Sequence, residues 1–405
     1  MIKKIKFALL FCSLLAMGSC GIFGSSFSRM LSKSDIISKD FKVEESFNFD
    51  KRLIVVKAII KGKEFEFIFD TGASLSILSQ DAANVLNLEE ENGININDSQ
   101  GNRQKLGTAI IDTISIGGVK FKGIAVSIID WPENSAIKCI AKDGIIGNNL
   151  IRHCNWIIDY KNSTMIISDQ DLSDDDFINV SMKTATKRPR LDIKINEKKL
   201  NNVLLDLGSG GGLDISRDLA KKLELNAEKY NGIYFLDGSS QGLFGSKLDS
   251  VCTLKIDSLA FGDGALTIQN AALDIESKKG AKIGNVLLAT GLLHLDYSNN
   301  IIGFKPYKKQ SILKDKKSFS FSPSWGDKGL YISSIQKMGL ADEMGISYGD
   351  IIYSINGKRS QDFQDYCDYF NYMLNDVYKN DSLVLIMDNQ KEDPILFNKK
   401  SLWEN

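Results

Sequence analysis

The sequence predicts a mainly β protein: two tandem β-rich lobes made by an internal duplication, then a smaller C-terminal module. Three observations carry this. Two apolar β-type runs, ending Phe67-Ile68-Phe69 and Val203-Leu204-Leu205, each lead into Asp-x-Gly. Features behind them recur at a nearly constant offset. Beyond residue 318, further short β-type runs are set between their own turn residues. At 405 residues the chain has room for two to four domains.

The first 20 residues are read as export signal rather than fold. Lys3, Lys4 and Lys6 make a positive start, and Phe7 to Met17 is an apolar run too short to span a bilayer. The run ends Met17-Gly18-Ser19-Cys20, which resembles a bacterial lipoprotein signal. That resemblance implies a lipid on Cys20 and a membrane-anchored protein of the bacterial cell envelope, facing the periplasm or the cell surface. An ordinary cleaved signal peptide is the alternative. Residues 21–48, with Ser, Gly and mixed charge, read as a tether.

Bulk composition removes several classes. The formal net charge is -1, without the basic excess that a nucleic-acid partner requires. There are two histidines, His153 and His294, and no His-x-x-x-His pair, so no metal site and no cofactor are expected. Both histidines read as structural. Beyond the signal, Cys139, Cys154, Cys252 and Cys367 lack Cys-x-x-Cys spacing. A Cys139–Cys154 disulfide and buried free thiols both fit.

The duplication is the most informative feature. Asp70-Thr71-Gly72-Ala73 in the first copy answers Asp206-Leu207-Gly208-Ser209 in the second. Each is followed by a segment with Ser or Asp at its head and helical spacing, Leu78 to Leu88 and Ile215 to Leu225. Ser99-Gln100-Gly101 is echoed by Ser240-Gln241-Gly242. Ile146-Gly147-Asn148, with Asp159-Tyr160 behind it, is echoed by Ile283-Gly284-Asn285 and Asp296-Tyr297. The offsets are 206 − 70 = 136 and 284 − 147 = 137. A lone Asp-Thr-Gly occurs by chance in roughly one chain in ten of this size, but four aligned features do not. A carboxylate at the end of a core strand is costly unless it is paired, hydrogen-bonded or protonated. Two of them in a repeat predict a two-fold arrangement that brings Asp70 and Asp206 together.

Asp70-Thr71-Gly72-Ala73 resembles the active-site motif of aspartic peptidases, in its retroviral-type form. Ile145-Ile146-Gly147, and Ile283-Gly284 in the second copy, are similar to the strand that crosses behind that motif in the same fold. The resemblance covers roughly 50–170 and 185–307, and implies two retropepsin-like β-barrel lobes forming a pepsin-like bilobal unit, lobe 1 over 49–170 and lobe 2 over 171–307. It further implies that Asp70 and Asp206 share a proton and activate a water, supported by Thr71, Gly72, Ala73, Gly208, Ser209, Gly147 and Gly284. The segments 97–108 and 234–246 stand where the family has flaps. Two departures bear on this. Leu207 replaces the Thr that would return Thr71's cross-lobe hydroxyl contact, which predicts a looser dyad. Ala73 lacks the hydroxyl of Ser209, which predicts a rate optimum nearer neutral than a stomach pepsin's.

Residues 308–320 read as a linker. Gly329-Leu330-Tyr331-Ile332 opens a strand, and Gly349-Asp350-Ile351-Ile352-Tyr353-Ser354-Ile355-Asn356-Gly357 follows. This run resembles a bacterial-type PDZ domain over 318–402, with its main helix over 361–376. The resemblance implies that C-terminal peptides bind as an added strand, with Gly329, Leu330, Tyr331 and Ile332 presenting amides to the carboxylate. The combined expectation is an envelope aspartic endopeptidase whose PDZ domain recruits or positions protein or peptide substrates, held to a membrane through Cys20. The alternative is a lipid-anchored binding or scaffold protein with a cleft that does not turn over, which Leu207 favours.

Overall fold

The computed structural model describes residues 33–184, 188–308, 311–312, 316–389 and 393–403. The signal segment and Cys20 lie outside the described residues.

Each copy of the repeat closes into a six-stranded barrel. In lobe 1 the order is Val119–Ile129, Ser76–Ser79, Gly144–Ile146, Lys63–Phe69, Val55–Ile60 and Arg103–Ile116, which pairs back onto Val119–Ile129. In lobe 2 the same order runs Leu266–Glu276, Leu213–Ser216, Ala281–Ile283, Lys198–Leu205, Arg190–Ile195 and Asp249–Phe261, again closing on the first strand. Alternation explains the strand at Val55–Ile60, where Val56, Ala58 and Ile60 are buried and Lys57 and Ile59 are exposed. The strands leading to Asp70 and Asp206 end in three consecutive buried residues instead, because there both faces are covered. Short helices follow, capped as the sequence suggests: Ser79 Oγ accepts from Ala82 N (3.1 Å) and Ser216 Oγ from Leu219 N (3.3 Å).

A six-stranded sheet joins the lobes from below. Its central pair is Asn155–Asp159 of lobe 1 beside Gly291–Asp296 of lobe 2, antiparallel, with Ile157 opposite His294. The separation 294 − 157 = 137 equals the repeat offset, so these two are counterparts facing each other on the pseudo-two-fold axis. Trp156 is fully buried there, edge-on to Phe69 at 4.8 Å. His294 is equally buried, against Phe177.

Part of the stretch read as a tether is built into the fold. Lys42–Ser46 is an edge strand of the joining sheet and Asp35–Ile36 pairs with Phe121 and Lys122 of lobe 1. Val43 is the one apolar residue of the Lys42–Ser46 strand and packs on the core. A strand covered on one face needs little more, so its mixed charge concealed it.

The C-terminal module has its own core, including Phe321, Leu330, Ile332, Ile355, Tyr369, Leu385 and Phe397. A hairpin of Phe321–Gly326 and Gly329–Gln336 turns at Gly329, whose φ of +94° suits glycine. Strands Ile352–Ile355, Ser382–Met387 and Ile395–Asn398 and the helix Tyr366–Tyr372 complete it. The module is joined to both lobes. Strand Gly329–Gln336 pairs with Ile233–Asp237 of lobe 2, through Phe235↔Gln336, Leu236↔Ile335 and Asp237↔Ser334. A Cys139–Cys367 disulfide ties the lobe 1 helix Ala136–Ile140 to helix Tyr366–Tyr372. The Cys139–Cys154 pairing considered from sequence is therefore replaced: 228 residues separate the bonded cysteines, and Cys154 and Cys252 are free and buried.

Candidate active site

Asp70 and Asp206 arrive by mirrored routes. Phe69 N donates to Ile54 O and Asp70 N to Ile146 O; Leu205 N donates to Pro189 O and Asp206 N to Ile283 O. Each strand thus runs through the barrel core and delivers its carboxyl at the floor of a cleft between the lobes. Together with the groove of the C-terminal module that opens into it, the cleft is about 2040 Å³.

The turns after the two carboxyls hold them by backbone amides. Gly72 N (2.6 Å) and Ala73 N (3.1 Å) donate to Asp70 Oδ1, and Gly208 N donates to Asp206 Oδ1 (3.1 Å). A Cβ on Gly72 would collide with Asp206 Oδ1, and one on Gly208 with the Asp70 carboxyl. Glycine is therefore required for close approach here. The two carboxyls face each other: a Cβ on Gly72 would strike Asp206 Oδ1 while lying 3.0 Å from Asp70 Oδ1. Burial, and next the charge of Asp206, push the Asp70 carboxyl up to about 8, so the pair retains a proton at neutral pH. Gly147 and Gly284 are required in the same sense: a Cβ would strike backbone at Leu75 and Gly211 respectively.

The Leu207 departure has a specific outcome. Thr71 Oγ1 donates to Leu205 O (2.7 Å) and accepts from Leu207 N (3.0 Å). One hydroxyl therefore bridges the lobes through backbone groups, while the Leu207 side chain is fully buried in the core. Two reciprocal contacts reinforce the seam: Tyr160 Oη donates to Asn285 Oδ1 (2.9 Å) and Tyr297 Oη to Asn148 Oδ1 (2.6 Å). Tyr160 and Tyr297, like Asn148 and Asn285, are counterparts in the repeat.

The segments expected as flaps line the cleft and touch at their tips. Asp98 Oδ1 closes its own hairpin by accepting from Gln100 N and Asn102 N, while Oδ2 accepts from Phe244 N (3.1 Å). Gln100 Nε2 donates to Ser240 Oγ (3.0 Å). Gln241 meets the C-terminal module, its Nε2 donating to Tyr366 Oη (3.0 Å).

Two residues near the dyad were not singled out from sequence. Lys282 Nζ lies 3.1 Å from Asp214 Oδ2 and 4.0 Å from Asp206 Oδ2, and donates to Ser209 Oγ (3.0 Å). Setting Lys282-Ile283-Gly284 under Ile145-Ile146-Gly147 would have exposed the difference. The Ser209 hydroxyl thus serves the lysine. Neither histidine lines the cleft.

The expected peptide contacts of the C-terminal module are corrected. Both edges of strand Gly329–Gln336 are taken: Phe321–Gly326 lies on one side. On the other, Ile332 N donates to Asp350 O, Tyr331 bridges Ile351, and 334–336 pair with lobe 2. Leu330 and Ile332 are fully buried. Gly329, Leu330, Tyr331 and Ile332 therefore cannot receive an added strand. Among the described residues, Phe321–Gly326 is the terminal strand of that sheet. It faces helix Tyr366–Tyr372 across a groove lined by Phe321, Ser322, Met373 and Leu374, continuous with the cleft that holds the dyad.

Comparison with known families agrees with this geometry. Residues 56–150 match the family model described as aspartyl protease, and residues 331–371 match the model described as PDZ domain. No curated protein matches the chain. The aspartyl protease match covers most of lobe 1, and lobe 2 repeats the same closed six-stranded barrel and the same Asp-x-Gly turn. The protein thus carries a retropepsin-like aspartyl protease domain in a two-lobed β unit, followed by a C-terminal PDZ domain.

Proposed function

We propose that this protein is an aspartic endopeptidase that hydrolyses peptide bonds with a water held between Asp70 and Asp206. The observation that carries the reading is the mutual approach of the two carboxyls over paired glycines; burial, and next the charge of Asp206, push Asp70 up to about 8 and so favour one shared proton. The ionised member takes a proton from the water as its oxygen bonds to the peptide carbonyl carbon. The protonated member gives its proton to the carbonyl oxygen. As the C–N bond breaks, the amine leaves with the proton taken from water. The half-bridge from Thr71 favours turnover over the scaffold reading, because it fixes the lobes without a second threonine.

The PDZ domain binds extended peptide, and its groove opens into the cleft; in our reading it positions protein substrates along one continuous path. The lipid on Cys20 would hold the enzyme at an envelope membrane. The test is hydrolysis of labelled casein by the full chain between pH 3 and 9, beside Asp70→Asn and Asp206→Asn. Each substitution is expected to lower kcat by about 10²–10⁴-fold. Cleavage surviving both would assign the activity elsewhere, and no cleavage by the unaltered chain would favour the scaffold. Labelled palmitate entering the protein but not its Cys20→Ser variant would support the anchor.

A further inference from the structure

Lobe 2 breaks the repeat at one cross-strand pair. In lobe 1, Ile77 lies opposite Ile145, on the strands Ser76–Ser79 and Gly144–Ile146. The same pair in lobe 2 is Asp214 opposite Lys282. Both offsets are 137, since 214 − 77 = 137 and 282 − 145 = 137. Lys282 also stands beside Leu204, two residues before the catalytic carboxyl. Its side chain is 24% exposed and that of Asp206 is 13% exposed, so the ammonium acts across a poorly solvated gap. At the matching cross-strand position of lobe 1 the pair is Ile77 and Ile145, which with Ile68 and Ala73 form an apolar wall.

We propose that Lys282 is a positioning residue that makes the dyad asymmetric: it keeps the negative charge on Asp206, which becomes the base toward water, and leaves Asp70 to carry the proton delivered to the carbonyl oxygen. This rests on the peptidase reading and assigns the two roles that reading leaves open. The protons balance. Asp206 receives one from water as the C–O bond forms and Asp70 gives one to the carbonyl oxygen. Asp206 returns its proton to the departing nitrogen as the C–N bond breaks, and the new carboxyl's hydroxyl returns one to Asp70.

The surrounding charges support this direction. Asp214, Asp206 and Glu276 hold the Lys282 ammonium well above its ordinary range despite burial. Asp214 faces Lys282, Glu276 and Asp274, and its burial raises it to about 6. Glu276 is paired to Lys278, and Asp274 to Thr253 and Lys316. Arg188, ahead of the strand Arg190–Ile195, is directed at Gly72 O (3.1 Å). Among these described groups Lys282 is the cation within 4.0 Å of a dyad oxygen.

The test rebuilds the lobe 1 pair in lobe 2. Lys282→Ile combined with Asp214→Ile exchanges a buried ion pair for packed apolar residues, a change that proteins commonly tolerate. The full chain carrying both substitutions is compared with the unaltered chain and with Lys282→Arg, using casein hydrolysis and the titration of [4-¹³C]aspartate carboxyl resonances. The acid limb of kcat/KM and the first carboxyl ionisation are expected to move up by about 1 pH unit or more, with Lys282→Arg staying close to the unaltered chain. An acid limb and titration that superpose on those of the unaltered chain would overturn the proposal. So would a uniform loss of kcat with no movement along the pH axis, which marks a packing role. If the unaltered chain cleaves nothing, the peptidase reading fails, and the carboxyl titration still decides whether Lys282 polarises the pair.

Discussion

Thr71 Oγ1 accepts a hydrogen bond from the backbone N–H of Leu207, its counterpart in the other lobe, and donates its own to Leu205 O. The bond survives loss of the second threonine because the donor belongs to the main chain. Thr71→Val keeps the shape and removes both contacts, leaving a buried N–H and a buried C=O without partners. We expect a loss of about 1–3 kcal/mol in unfolding free energy and a fall in kcat, with Thr71→Ser retaining most of both. Denaturant unfolding and casein hydrolysis check this; an unchanged Thr71→Val protein would remove the bridge from the account.

Gly72→Ala and Gly208→Ala should separate activity from folding. Each adds a methyl that meets the opposite lobe's carboxyl. A displacement near 1 Å at reacting groups costs about 10²-fold in rate. We expect kcat to fall by that order in either variant while far-ultraviolet circular dichroism stays unchanged. Rates within twofold of the parent would show that the carboxyls have room that the close approach denies.

The raised Asp70 carboxyl links folding to pH. In the unfolded chain it ionises near 3.8, whereas in the fold it holds its proton to about 8. Between those values the native state binds the extra proton, so this group costs stability as pH rises from about 4 to about 8. Above that the cost is constant. Asp70→Asn carries no such proton, so the gap in melting temperature between it and the parent should widen in the variant's favour across this window. Parallel curves would show that the carboxyl is not held neutral. The rate of the parent should also decline above about pH 8 as the shared proton is lost.

The Cys139–Cys367 disulfide closes a loop of 228 residues between lobe 1 and the PDZ domain. Cross-links across long loops restrict the unfolded chain most, by about 5.5 kcal/mol for a loop of this length in the entropic account. Cys139→Ser with Cys367→Ser should melt at a lower temperature than the parent, and a reductant should lower the parent to match. Equal melting points would show that the strand pairing of Leu236 with Ile335, and the other docking contacts, suffice alone.

The dyad and the duplicated frame were legible because Asp-x-Gly, Gly147, Gly284, Asn148 and Asn285 act through local shape, which spacing preserves. The two closed barrels follow from the same repeat. What escaped was long-range or chemically disguised. The partner of Cys139 belongs to another domain, and no local pattern names it. The edge of strand Gly329–Gln336 is consumed by Asp350, Ile351 and lobe 2, a tertiary event that its glycine-led sequence does not announce. Lys282 is disguised because the matching Ile283-Gly284 beside it preserves the repeat, and one polar residue within a short strand carries no spacing signal of its own.

That mismatch bears on how a two-lobed chain of this kind arises from a repeat. Where two identical subunits meet, every mutation is delivered twice, and a cation beside each aspartate would favour ionisation of both and leave no shared proton. Joining the halves into a single polypeptide lets one side acquire an ammonium while the other keeps its isoleucines. The covalent link between the copies is thus what would make the proposed division of labour between the acids heritable.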